Sequence, residues 1–139
     1  MSQDEIASQI VAEAPDAILY CDRDGVIRMW NDACVRIFGH AAEEANGHSL
    51  DIIIPENLRD RHWRGFAETM RTGVTRYGAG DLLSVPALRK DGSRISVEFS
   101  IIPFKDSAGS ITGMAAIMRD VTARFEEMKA LRKAARASH

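Results

Sequence analysis

The chain has 139 residues, enough for one domain with a single core and too few for two of ordinary size. Hydrophobic residues make up 45% and charged residues 27%, and a net charge of -2 gives no electrostatic pull toward nucleic acid or an anionic membrane, so neither is expected as a partner. No run approaches the ~20 apolar residues of a membrane span, and the acidic residues 1–6 lack the apolar core of a secretory signal, which points to a cytoplasmic protein.

In chain order, Ile6, Ile10 and Val11 recur at helical spacing behind Asp4 and Glu5, whose charges suit a helix N-terminus. With Pro15 beyond them, they predict a leading helix over residues 4–14. Two apolar runs, 17–21 and 26–30, are separated by Asp22-Arg23-Asp24-Gly25. The Asp-Gly pair predicts a β-hairpin, because glycine accepts the positive φ that such a turn requires. Asn31 is placed to cap a helix over 32–38, with Gly39 as its stop. Short helices are expected at 41–45 and 50–53, broken by Gly47 and Pro55. The longest central helix is predicted over 56–72, ending at Thr72-Gly73. Extended stretches at 76–88, 93–104 and 111–121 follow, joined by Lys90-Asp91-Gly92 and Asp106-Ser107-Ala108-Gly109. In the second of these, Ile95, Val97, Phe99 and Ile101 alternate with Arg94, Ser96, Glu98 and Ser100, so one sheet face is buried and the other polar.

After Asp120 the apolar residues Val121, Phe125, Met128, Leu131 and Ala135 recur at helical spacing among Arg124, Glu126, Glu127, Lys129, Arg132 and Lys133. This is an amphipathic exit helix. It is shorter than the about three or four heptads that establish a coiled coil, and it suits either packing on the sheet or a role in output and dimerisation.

The central helix carries the main chemical signal. Leu58, His62, Phe66 and Met70 repeat every four positions and share one face, so a single imidazole sits in an apolar row. Such a histidine is either a satisfied core residue or a ligand. His40 and His48 lie in turn-rich segments and His139 is terminal, so they read as solvated side chains and no metal site is expected. Cys21 and Cys34 have no metal-ligand or Cys-x-x-Cys spacing and read as buried free thiols. No nucleophile motif, phosphate loop or metal triad occurs, so the chain is not expected to be an enzyme.

Pro15-Asp16-Ala17-Ile18, Asp24-Gly25-Val26-Ile27, Trp30-Asn31-Asp32-Ala33, Phe38-Gly39-His40, Glu44-Ala45-Asn46-Gly47, Arg89-Lys90-Asp91-Gly92 and Arg119-Asp120-Val121-Thr122 resemble, in order and spacing, the landmarks of a PAS domain over residues 12–122. The resemblance implies an α+β fold in which a five-stranded antiparallel sheet carries helices on one face, with a pocket between the sheet and the long helix. The PAS domain would span 15–121, with flanking helices at 1–14 and 122–139. It also implies a signal-transduction module that binds a small-molecule ligand, forms a homodimer through its first and last helices, and contacts a signalling partner protein.

Within that family, Arg59-Asp60-Arg61-His62, with Thr72-Gly73 downstream, is similar to the long helix of haem-binding PAS domains of oxygen-sensing histidine kinases. This likeness implies haem b, with His62 as ligand to the iron. Phe66, Met70, Leu82, Leu83, Phe99, Ile101 and Ile117 are the candidate pocket residues. Two positions depart from that pattern. Trp63 stands where those sensors have an aspartate, and Leu82 or Leu83 stands where they place a distal arginine. An apolar gas side would favour carbon monoxide or nitric oxide over oxygen. The alternative is a cofactor-free interaction and dimerisation module with a solid core. The light-sensing flavin class is disfavoured, since its Asn-Cys-Arg-Phe-type element is missing and Cys34 lies too early in the chain.

Overall fold

A computed structural model describes residues 1–74 and 82–138. The elements run α1 (Gln3–Glu13), β1 (Ala17–Asp22), β2 (Ile27–Trp30), α2 (Asp32–Phe38), α3 (Ala42–Ala45), 3-10 turns at Leu50–Ile53 and Glu56–Leu58, α4 (Arg59–Thr72), β3 (Leu83–Leu88), β4 (Arg94–Lys105), β5 (Ile111–Asp120) and α5 (Thr122–Ala137). The strands form one antiparallel sheet in the order β2-β1-β5-β4-β3. The fold is the α+β arrangement expected.

Side chains alternate along each strand, so pairing register decides which residues share a face. Leu19 pairs with Trp30 and Ala116, Phe99 with Met118, and Ala87 with Ile95. Leu19, Trp30, Ala87, Ile95, Ala116 and Met118 form the inner face. They are buried in one core with Ala33, Cys34 and Phe38 of α2 and Phe66 of α4. Ile18, Tyr20, Ala115, Ile117, Ile102 and Phe104 take the opposite parity and form the outer face, where Ile102 and Phe104 are exposed.

The local signals act as their chemistry dictates. Asp22 Oδ1 accepts the amide N–H groups of Asp24 and Val26 across the hairpin turn, and Gly25 supplies the positive φ. Strand β2 starts one residue later than expected, because Val26 forms a bridge with Ser49. The predicted 56–72 helix is split: the Leu58 N–H bonds Pro55 in a 3-10 turn, and regular α-helix begins at Arg59. Residues 76–81 of the expected 76–88 strand lie outside the described residues, and β3 is seen from Leu83.

Asn31 ties the entry of the fold together. Its Oδ1 accepts from the N–H of Ile18 at 2.9 Å and of Cys34 at 3.1 Å. Its Nδ2 donates to the carbonyls of Val11 at 2.8 Å and Asp16 at 3.1 Å. One buried amide thus caps α2 and fastens α1 to β1. Asn31→Ala removes the cap and leaves buried polar groups unpaired, so a loss of about 3 kcal/mol in urea unfolding is expected. A loss below about 1 kcal/mol would show that water replaces the amide at no penalty.

Candidate functional site

Helix α4 is fastened to the core at its first turns. No side chain caps its N-terminus. Arg59 instead reaches back, its Nε donating to the Ile54 carbonyl at 3.0 Å and its Nη2 to the Asp51 carbonyl at 3.2 Å. One turn on, the Trp63 indole N–H donates to Asp51 Oδ1 at 2.6 Å. Gly73, at φ +73°, closes the helix by bonding the Thr69 carbonyl.

Along the row Leu58, His62, Phe66 and Met70, Phe66 is the residue that is fully buried, while the others are half-buried. Opposite them the inner face presents Leu83, Phe99 and Ile101, also half-buried, with Leu83 paired to Phe99. Met70, Phe99 and Ile101 pack against the core cluster without being sealed into it. Two facing apolar surfaces, one helical and one of sheet, therefore retain accessible area.

His62 lies in that setting. Its ring stands edge-on to Trp63, with centroids 4.6 Å apart at 81°, and is tilted 32° to Phe66 at 6.1 Å. Its Nδ1 is buried and has no hydrogen-bond partner. An orphaned buried nitrogen typically costs about 1–3 kcal/mol. Burial also pushes its pKa down, against the smaller opposing pull of the Asp51 carboxylate, so the imidazole is neutral at neutral pH. A neutral imidazole carries one N–H nitrogen and one lone-pair nitrogen, and the latter can accept a hydrogen bond or bind a metal. On the solvent side of the same helix, Asp60, Trp63, Arg64 and Ala67 line an open depression of about 520 Å³.

Phe66, Met70, Phe99 and Ile101 meet at the core cluster, Leu83 takes the inner-face position beside Phe99, and His62 lies against Trp63 and Phe66. The structure removes two expected members. Ile117 pairs with Ile18 and Ser100 and lies on the outer face, because Ala116 and Met118 take the inner positions of β5. Leu82 precedes β3 and is 64% exposed, whereas its neighbour Leu83 belongs to the inner face. His40 also differs from expectation. It is half-buried beside Trp30, with Nε2 buried and unpartnered, and its carbonyl accepts the Trp30 indole N–H at 3.0 Å. His48 is exposed, and His139 lies outside the described residues. Cys21 and Cys34 are buried free thiols, pushed by desolvation to about 11 and about 12, and are therefore unreactive. Among the described residues no group of three His, Cys, Asp or Glu is placed to hold a metal ion, and no helix is long and apolar enough to cross a membrane.

The donor set fits haem b: one neutral imidazole with a free nitrogen, walls of Phe, Met, Leu and Ile, and no competing cluster of ligands among the described residues. Sequence reasoning missed Asp51 and Gly25, which position Trp63. Neither lies on the helical row, and their contacts with Trp63 span 12 residues or more, so no local pattern marks them.

Comparison with known proteins places this geometry in context. The family model described as the PAS fold matches residues 11–126. Sensor protein FixL of Bradyrhizobium diazoefficiens is 29% identical over 126 residues, covering 86% of this chain and 24% of that protein. Oxygen sensor protein DosP of Escherichia coli is 27% identical over 117 residues, covering 84% of this chain and 14% of that protein. The chain thus spans a quarter or less of these curated relatives. The crystal structure of a PAS domain from Colwellia psychrerythraea superposes with a TM-score of 0.73 at 18% identity, covering 88% of this chain and 99% of that one. With the sheet order, the helical layer and the family match in agreement, the chain belongs to the PAS family.

Proposed function

We propose that this PAS domain is a sensory module that holds haem b, with His62 as the iron ligand, between α4 and the inner face of β4. The observation that carries the reading is the buried, unpartnered Nδ1 of a neutral imidazole in an apolar row. The similarity to two sensor proteins, one of them an oxygen sensor, supports it. When bound, haem iron supplies a coordination position for a diatomic gas. The chain's own residues do the rest. His62 would hold the iron, Phe66 and Met70 would exclude water on the helix side, and Leu83, Phe99 and Ile101 would do so on the sheet side. None of these three sheet residues can donate a hydrogen bond, so the reconstituted protein is expected to favour carbon monoxide over oxygen.

A route outward is built into β4. The strand that carries Phe99 and Ile101 also carries Ser96, whose N–H donates to Thr122 Oγ1 at 2.9 Å and whose carbonyl accepts the Val121 N–H at 2.9 Å. Asp120 Oδ1 accepts the Thr122 N–H at 2.9 Å, and Arg124 of α5 pairs with Glu98 of β4 at 2.7 Å. Movement of β4 on occupancy is therefore passed to α5. A ligand that binds one position of β4 better than another biases α5 by that difference in affinity.

The partner of these helices is a second copy of the chain. No residue of α1 or α5 is fully buried, and Ile6, Ile10, Phe125, Met128 and Leu131 are exposed. Helix α1 carries Asp4, Glu5 and Glu13 with no base, while α5 carries five basic residues against two acidic. Both leave the same end of the sheet, where Ala17 pairs with Met118. The acidic helix of one protomer matches the basic helix of the other in charge and in apolar stripe.

Two experiments test these points. Haemin titrated into the protein should give a sharp, saturable Soret band that His62→Ala loses. An unchanged band in His62→Ala removes His62 as the ligand, and no band from folded protein leaves a cofactor-free interaction module. For the dimer, one variant makes α1 basic (Asp4, Glu5 and Glu13 to Lys) and another makes α5 acidic (Lys129, Arg132 and Lys133 to Glu). Sedimentation should find each variant monomeric alone and dimeric when the two are mixed. Mixtures that stay monomeric, or single variants that stay dimeric, contradict pairing of α1 with the partner's α5.

A further inference from the structure

Trp63 follows His62 and so lies off the apolar row, yet its side chain is the most constrained on α4. The indole N–H is held by Asp51 Oδ1. Its six-membered ring covers Gly25 so closely that a Cβ there would lie 2.2 Å from Cη2 and 2.4 Å from Cζ3. Gly25 is thus required twice, by this contact and by its φ of +77°. The Gly25 carbonyl accepts the Leu50 N–H at 3.0 Å, and Leu50 precedes Asp51. The hairpin turn, the first 3-10 turn and the indole therefore form one unit. On its other sides the indole meets His62 edge-on at 4.6 Å and Phe66 at 5.2 Å.

A ligating histidine is normally oriented by a hydrogen bond from its second ring nitrogen. Among the described residues neither ring nitrogen of His62 has a hydrogen-bond partner, and the ring's neighbours are the aromatic side chains of Trp63 and Phe66. Rotation of the imidazole about its Cβ–Cγ bond must displace Trp63, and Trp63 cannot yield without breaking the bond to Asp51 or lifting off Gly25.

We propose that Trp63 is the positioning residue of His62 and that, through it, the β1–β2 turn at Gly25 and the His62 ring are mechanically coupled. The consequence for ligand affinity rests on the reading of His62 as a ligand; the coupling itself is a property of the ligand-free protein. The three heavy atoms nearest a Cβ at Gly25 all belong to the Trp63 indole, so a side chain added there pushes first on that ring.

The test uses Gly25→Ala, Trp63→Phe and the double variant, with the His62 ring signals of the ligand-free protein followed by NMR at one fixed pH and assigned by their loss in His62→Ala. Gly25→Ala should shift these signals when Trp63 is present and leave them unmoved in the Trp63→Phe background, where the smaller ring no longer covers residue 25. The backbone strain of alanine at that φ is common to both backgrounds and cancels. Asp51→Ala, which drops the acceptor, should also shift the signals, and Asp51→Asn, which keeps one, should not. This pair decides the matter if Gly25→Ala fails to fold. Haemin affinity should fall about tenfold in Gly25→Ala and Asp51→Ala and stay near wild type in Asp51→Asn. His62 signals that ignore Gly25→Ala and Asp51→Ala, or that move equally with and without Trp63, overturn the proposal. If wild type takes up no haemin, the ligand reading fails while the ring signals still decide the coupling.

Discussion

The side-chain amide of Asn31 is the interaction on which the arrangement of the elements depends. It is a buried polar group whose acceptor serves two N–H groups and whose amide nitrogen serves two carbonyls, so its hydrogen-bonding capacity is fully used. That satisfaction joins α1, β1 and α2 at one buried side chain without an orphaned group. His62 presents the reverse situation. Its buried Nδ1 has no partner, a property shared among the described residues by Nε2 of His40.

The working parts lie along a single line of contact. Helix α4 is clamped at its N-terminal turns by Arg59 and Trp63, places Phe66 and Met70 at the core cluster and sets the His62 ring against Trp63 and Phe66. Strand β4 presents Phe99 and Ile101 toward α4, and by Ser96 and Glu98 it grips the start of α5. The surface ion pairs, such as Arg119 with Asp16, are exposed and add little beyond orientation.

Much of the fold was legible in the sequence because the decisive signals are local. Asp22 through Gly25 encodes its turn through an Asp side chain and a positive-φ glycine, and Asn31 with Gly39 brackets α2 at the residues where it begins and ends. The alternation of Ile95, Val97, Phe99 and Ile101 fixed the inner face of β4. Strand β5 was not legible in the same way. Met114, Ala115, Ala116, Ile117 and Met118 are apolar on both parities, so Ile117 could be assigned to the pocket when pairing with Ile18 puts it outside. Leu82 and Leu83 posed the same parity problem at a strand start. His62 was visible as an anomaly in a helical period, but what holds it was not. Asp51 and Gly25 reach Trp63 only through the tertiary fold, and His40 is buried by Trp30 ten residues earlier in the chain.

The central claim is that His62 binds iron between α4 and β4. A crystal structure of the haemin-reconstituted protein tests it most directly. The account predicts iron bonded to a ring nitrogen of His62, with the porphyrin against Phe66, Met70, Phe99 and Ile101. Haem seated instead in the outer depression beside Asp60 and Arg64, or bound with His62 uncoordinated, would contradict it.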